Sequence, residues 1–111
     1  MAAKRQLTPE LLTLVAGRFK ALAEPARLLI LNALRQGDAS VTEIIEETGL
    51  GQANVSKHLQ MLHALGFVSR RRDGLRMVYG LADPDVFKLC DIVCGRIELE
   101  HTARKKVLSG R

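Results

Sequence analysis

The chain is expected to be mainly α with one small β-hairpin, five helices in a single α+β domain. Three observations predict this. Apolar residues recur at helical spacing over five stretches, glycine or proline follows the first four of them, and the period changes from about 3.6 to 2 around Asp73-Gly74. A chain of 111 residues with 47% hydrophobic and 26% charged side chains can bury one core without disulfides or a structural metal.

The first helix spans Thr8 to Ala23, with Thr8 placed to cap it, Pro9 in its first turn and a stripe of Leu11, Leu12, Val15, Phe19 and Leu22. Residues 1–7 ahead of it read as a flexible tail. Pro25 opens the second helix, Pro25 to Gln36, which is apolar nearly all round before Gly37 ends it and so belongs in the middle of the domain. Ser40 followed by Glu43 is a capping box for a third helix, Val41 to Thr48, with Ile44 and Ile45 inward and Gly49 as its stop. After Gly49-Leu50-Gly51 the fourth helix runs from Gln52 to Leu65, buries Val55, Leu59, Leu62 and Leu65, and ends at Gly66. Two helices joined by a tight glycine-containing turn form a helix-turn-helix.

Phe67 to Arg72 and Leu75 to Leu81 then read as strands joined by an Asp73-Gly74 turn, with Leu75, Met77, Tyr79 and Leu81 alternating against Arg76, Val78 and Gly80. A fifth helix, Asp85 to about Lys106, carries the stripe Val86, Leu89, Cys90, Val93, Cys94 and Ile97. Its basic tail, Arg104, Lys105 and Lys106, suits the negative end of the helix dipole.

Seventeen Lys and Arg against twelve Asp and Glu leave a net charge of +5, which biases the surface toward polyanions. No segment is long and apolar enough to span a bilayer, and the opening MAAKRQLTPE lacks the apolar core of a signal peptide. The expectation is therefore a cytoplasmic protein without a membrane partner. No grouping of nucleophile and base and no open metal site is visible, and Cys90 and Cys94 lack Cys-x-x-Cys spacing, so an enzyme is not expected.

A helix-turn-helix followed directly by a basic hairpin is the layout of a winged helix, in which the fourth helix enters the major groove of duplex DNA. If Val55, Leu59 and Leu62 face inward, the opposite surface carries Gln52, Asn54, Ser56, Lys57 and Gln60, donors and acceptors suited to base edges, and the helix holds no acidic residue. Arg70, Arg71, Arg72 and Arg76 straddle the hairpin turn, with Arg70, Arg72 and Arg76 as the expected phosphate contacts. His58, on the flank of the fourth helix, is a further phosphate contact or a partly buried structural histidine. Polar helix faces are commonly just solvated, and basic hairpins can simply blunt a sheet edge. The two features together, in this order, outweigh those readings. An RNA-binding or protein-binding winged helix is the competing class, disfavoured by 4% aromatic content and no aromatic residue in the fourth helix.

The segments Phe19 to Leu31 and Val41 to Leu81 resemble the ArsR/SmtB family of bacterial winged-helix repressors. The resemblance rests on Ala23-Glu24-Pro25-Ala26-Arg27-Leu28, Val55-Ser56-Lys57-His58-Leu59, Gly66-Phe67-Val68, and Arg72-Asp73-Gly74 before Tyr79. It implies a homodimer built through the first and fifth helices, a double-stranded operator with dyad symmetry, and repression relieved by an inducer. Asn54, Ser56 and His58, with Gln52 and Lys57, match positions the family uses on DNA. The family's cysteine pair near the start of the third helix is replaced by Ala39-Ser40-Val41-Thr42. Its second metal site falls on Asp83, Asp85, Arg96 and Leu99, where an arginine and a leucine cannot ligate zinc; a shifted register gives Asp85, Phe87, Glu98 and His101. What remains for sensing is Cys90 and Cys94, one helical turn apart, able to hold a soft metal or metalloid ion or to be oxidised or persulfidated, or else to pack as small hydrophobes. Nearby Asp91 and Glu98 should raise a thiol pKa. The alternative is a ligand-independent or partner-controlled regulator with purely structural cysteines.

Overall fold

The computed structural model describes residues 5–108, with side chains from 5 to 104. The expected residues 1–7 tail therefore lies mostly outside the described residues, as do the side chains of Lys105 and Lys106. The elements are α1 (Pro9–Leu22), α2 (Pro25–Leu34), β1 (Ala39–Ser40), α3 (Val41–Thr48), α4 (Gln52–Ala64), β2 (Val68–Asp73), β3 (Arg76–Leu81) and α5 (Val86–Leu108). Thr8 Oγ1 accepts from the Leu11 N–H at 3.1 Å, which caps α1. At α3 the capping box is complete: Ser40 Oγ accepts from the Glu43 N–H at 3.2 Å and the Ser40 N–H donates to Glu43 Oε1 at 2.9 Å. α3 stops at Gly49, whose φ of 75° lies where a Cβ is disfavoured. The Thr48 hydroxyl donates to the Ile44 carbonyl and accepts from the Leu50 N–H, so the turn between α3 and α4 is pinned by one side chain.

The core is built where α2, α3 and α4 converge on the sheet: Ile30, Leu31, Leu34, Ile44, Val55, Leu59, Leu62, Val68 and Tyr79 are buried, joined by Val86 and Phe87 from the start of α5. Arg35 lies 4.4 Å from the centroid of the Phe87 ring, a cation–π contact that ties the end of α2 to that first turn.

The structure extends or corrects five expectations. The sheet has three strands in the order β1-β3-β2, because Ala39 and Ser40 pair antiparallel with Tyr79 and Val78. β3 is thus central and covered on both faces at Val78, Tyr79 and Gly80, so its expected two-faced alternation is lost. The hairpin turn lies one residue later than expected: Asp73 pairs with Arg76, leaving Gly74-Leu75 at the tip. Gly74 takes a φ of 65° and no other residue type among those described has a positive φ, which fits a turn with glycine first. Leu75, expected to join the inward stripe, is fully exposed there. α2, in turn, is not central all round. Ile30, Leu31 and Leu34 are buried, but Leu28 and Leu29 are 37% and 42% exposed.

Candidate nucleic-acid interface

Helical periodicity divides α4 cleanly. Val55, Leu59 and Leu62 are fully buried, while Gln52, Asn54, Lys57 and Gln60 are exposed and Ser56 and His58 are half-buried at the margin. The exposed face is therefore anchored by three core residues of the same helix, and it carries no carboxylate. Such a face can meet base edges without rearranging.

The strand period sorts the hairpin arginines. Arg70 is opposite Tyr79 and Arg72 opposite Met77, on the sheet face that also carries Val68 and packs on the helices. Arg71 and Arg76 fall on the other face, where acidic partners wait. Arg71 Nη2 is 3.4 Å from Asp38 Oδ2, and Arg76 lies 3.4 Å from Glu43 Oε1 and 3.7 Å from Asp73 Oδ2. Asp38 sits over Gly80, where any Cβ would collide with its carboxylate, so the glycine makes room for the Arg71 partner. Glu43 has its pKa lowered, first by the Ser40 backbone N–H, then by the Ser40 hydroxyl, with Arg76 adding less. Among the described residues, Arg70 and Arg72 form no ion pair. Sequence reasoning missed this division, and its partners Asp38 and Glu43 lie 33 residues from the arginines.

His58 is engaged from within the protein. Its Nδ1 accepts from Arg27 Nε at 3.1 Å, and Arg27 Nη1 also donates to the Ala21 carbonyl at 3.2 Å. Its pKa is lowered, chiefly by partial burial and next by the Arg27 charge, with Lys57 acting the same way and Glu24 opposing.

Cys90 and Cys94 lie in a cleft of about 420 Å³ between the end of α1, the start of α2 and α5, lined by Phe19, Leu22, Leu28, Leu89, Val93 and Ile97. Cys90 is half-buried and Cys94 exposed. The Cys94 thiol donates to Glu98 Oε1 at 3.5 Å, and that bond, followed by the charges of Glu98 and Asp91 among its other causes, raises its pKa. The thiol is held in its protonated form, the opposite of what a thiolate ligand needs. No cluster of three or more His, Cys, Asp or Glu side chains among the described residues is arranged to hold a metal ion. Asp83, Asp85, Glu98 and His101 form no such cluster among the described residues.

Comparison with known proteins places this geometry. The family model described as bacterial regulatory protein, arsR family, matches residues 24–70, from the start of α2 through the first part of the wing. The crystal structure of Rv0081 from Mycobacterium tuberculosis superposes with a TM-score of 0.77 at 37% identity, over 87% of this chain and 98% of that one. The homodimeric winged helix-turn-helix DNA-binding domain Mb0332 from Mycobacterium bovis gives a TM-score of 0.73 at 38% identity, over 91% and 95%. This chain belongs to the ArsR family. Its architecture of five helices and a small antiparallel sheet is the family's winged helix-turn-helix. The probable mercury resistance operon repressor of Streptomyces lividans is 42% identical over 71 residues, 64% of this chain and 57% of that protein. The chain thus spans under two thirds of the first curated relatives' length. These relatives are described as a repressor and as transcriptional regulators. Among the described residues no helix is long and apolar enough to cross a membrane.

Proposed function

We propose that this ArsR-family chain is a sequence-specific regulator of transcription that binds a double-stranded operator as a homodimer and represses from it. The observation that carries the reading is the pairing of a carboxylate-free exposed face on α4 with two arginines on β2, Arg70 and Arg72, that form no ion pair among the described residues. Gln52, Asn54, Ser56, Lys57 and Gln60 would read base edges in the major groove. Arg70 and Arg72 would hold phosphates directly, Arg76 after exchanging Glu43 and Asp73 for phosphate, and His58 through its remaining N–H.

The homodimer is supported by the apolar surface left open on α1 and α5. Leu12, Leu14, Phe19, Ile92, Val93, Ile97 and Leu99 are all about half-exposed or more. Exposed apolar surface of this extent is costly in water, and a second copy of the chain would cover part of it, as Mb0332 is homodimeric. Two α4 helices would then meet successive major grooves, about 34 to 36 Å apart.

For the signal, the Cys94–Glu98 contact, which disfavours the thiolate, supports the alternative of a ligand-independent or protein-partner-controlled regulator whose cysteines do not sense. Selection of bound sequences from a random duplex pool, followed by gel shift against single-stranded RNA, tests the main reading. Enrichment of a two-fold symmetric duplex site is expected. Preference for single-stranded RNA, or a protein that is monomeric at binding concentration, would refute it. The Cys90→Ser/Cys94→Ser double variant should bind and release the selected site as the wild type does under arsenite, cadmium or oxidant. A response present only in the wild type would instead assign these thiols the sensing role, with a soft ion or sulfur oxidation as the signal.

A further inference from the structure

We infer that Arg27 is a positioning residue for DNA recognition: its guanidinium ties the last turn of α1 to His58 on α4 and, by donating to Nδ1, fixes that imidazole as the tautomer with its proton on Nε2. The inference rests on the DNA-binding reading and names a control built into the same site.

One side chain joins three helices here. Arg27 belongs to α2, its Nη1 donates to the carbonyl of Ala21 in α1, and its Nε donates to Nδ1 of His58 in α4. The chemistry of the second bond is restrictive. A guanidinium can only donate, so Nδ1 must present a lone pair, and the ring must be the neutral tautomer protonated at Nε2. Nε2–H is then the one donor His58 retains for a phosphate. The planar fork of arginine makes both bonds from one rigid group, which a lysine ammonium on a flexible stem would not reproduce.

Acid breaks this arrangement in two ways. A proton on Nδ1 removes the acceptor, and the imidazolium then faces the Arg27 charge at hydrogen-bond distance. The other charged groups facing His58 are Lys57 on α4, which adds to the repulsion, and Glu24 at the N-cap of α2, which opposes it. The bond from α2 to the flank of α4 is lost, although the core anchors Val55, Leu59 and Leu62 remain. The consequence is loss of discrimination rather than of folding. The extra positive charge strengthens attraction to any duplex, while the base-reading face is no longer held from its flank.

The test is a pH series from about pH 5 to pH 8 on the full chain. It measures the ratio of affinity for a duplex selected by the protein from a random pool to affinity for unselected duplex. NMR of the imidazoles follows His58 in parallel. In the wild type the ratio should fall as pH drops through the His58 titration, by up to about tenfold per subunit for each pH unit below its pKa. His58→Gln, which can still accept from Arg27 but cannot titrate, should flatten that fall whatever its absolute affinity. Arg27→Gln should move the His58 pKa upward and lower the ratio at neutral pH, and Arg27→Lys should not restore it. A wild-type ratio that stays level or rises through the His58 titration overturns the inference without needing any variant to fold. So does an Arg27→Gln protein with unchanged His58 pKa and unchanged ratio. A pool from which nothing is enriched overturns the DNA-binding reading itself, an outcome distinct from either.

Discussion

Replacing Arg72 with alanine isolates the proposed phosphate contact most sharply, because this side chain is exposed and has no acidic partner among the described residues. Each phosphate neutralised on B-form DNA contributes about 0.9 to the slope of log affinity against log salt. Between about 50 and 200 mM salt, a fourfold change, one contact is therefore worth about 3.5-fold in affinity. A two-fold symmetric dimer makes the contact twice. The variant should thus reduce the slope by about 1.8 and lose about 12-fold less affinity over that salt range than the wild type does. Arg71→Ala provides the internal comparison. Arg71 starts from an ion pair with Asp38 at 3.4 Å, so engaging a phosphate would mean giving up that partner. Its removal should change the slope by less than half as much. Fluorescence anisotropy with a selected duplex at four or five salt concentrations measures both. An Arg72→Ala slope equal to the wild type, or equal slopes for the two variants, would refute the division of the wing into a neutralised and a free face.

Other consequences follow from the same geometry. Gln52→Ala or Asn54→Ala should relax preference at one or two positions of the selected site by about 1–3 kcal/mol while leaving the salt slope alone, as read by competition with single-base variants of the site. Leu59→Ala, at a fully buried position in the middle of α4, should lower unfolding free energy by about 2–5 kcal/mol in urea titrations. Ser40→Ala should cost about 1 kcal/mol by removing half of the capping box. Because the Glu43 pKa is lowered in the folded protein, its contribution is present above the ordinary carboxylate pKa and lost as pH falls through the folded value. The penalty of Glu43→Ala, which removes the carboxylate that accepts from the Ser40 N–H, should accordingly shrink in acid, and a penalty independent of pH would contradict that bond. Ile97→Glu, in the apolar cleft of α5, should shift the protein to monomer by analytical ultracentrifugation and abolish tight binding to a symmetric duplex, with little change in monomer helicity.

The helices were legible because their ends are written locally. Thr8-Pro9, the Ser40 and Glu43 pair, and Gly49 each act within one turn of chain, so spacing alone locates them. The base-reading face of α4 was legible for the same reason, since Val55, Leu59 and Leu62 define its opposite side. β1 was not, because two residues cannot display a period, and it took the partner positions Val78 and Tyr79 to make a strand of them. The turn slipped by one because Asp73-Gly74 and Gly74-Leu75 both place glycine at a positive φ, and only cross-strand pairing chooses between them. The sorting of the arginines depends on Asp38 and Glu43, and the Arg27–His58 bond spans 31 positions. No local pattern carries such contacts. Leu28 and Leu29 misled because an apolar residue signals burial without saying whether its own chain supplies the cover.

That last point bears on how a signal could reach the operator. Among the described residues α5 meets the core near its beginning, through buried Val86 and Phe87, half-buried Cys90 and the Arg35 contact, while Ile92, Val93, Ile97 and Leu99 are exposed. In the proposed dimer those exposed residues meet the partner, so the junction at Phe87 sets the angle between each core and the shared seam. In that proposal α1 shares the seam, and its last turn reaches α4 through Arg27. Repacking at the seam therefore has two physical routes to the recognition helix: rotation of the whole core about the start of α5, and tension on the Ala21–Arg27–His58 connection. They separate experimentally. Rotation changes the spacing between half-sites and should be countered by inserting or deleting a base pair between them, whereas loosening of the connection lowers discrimination at every spacing. A ligand that releases the dimer from a site of one length but not from its lengthened form acts by rotation, and any effector need only distinguish the two arrangements by about 1 to 3 kcal/mol.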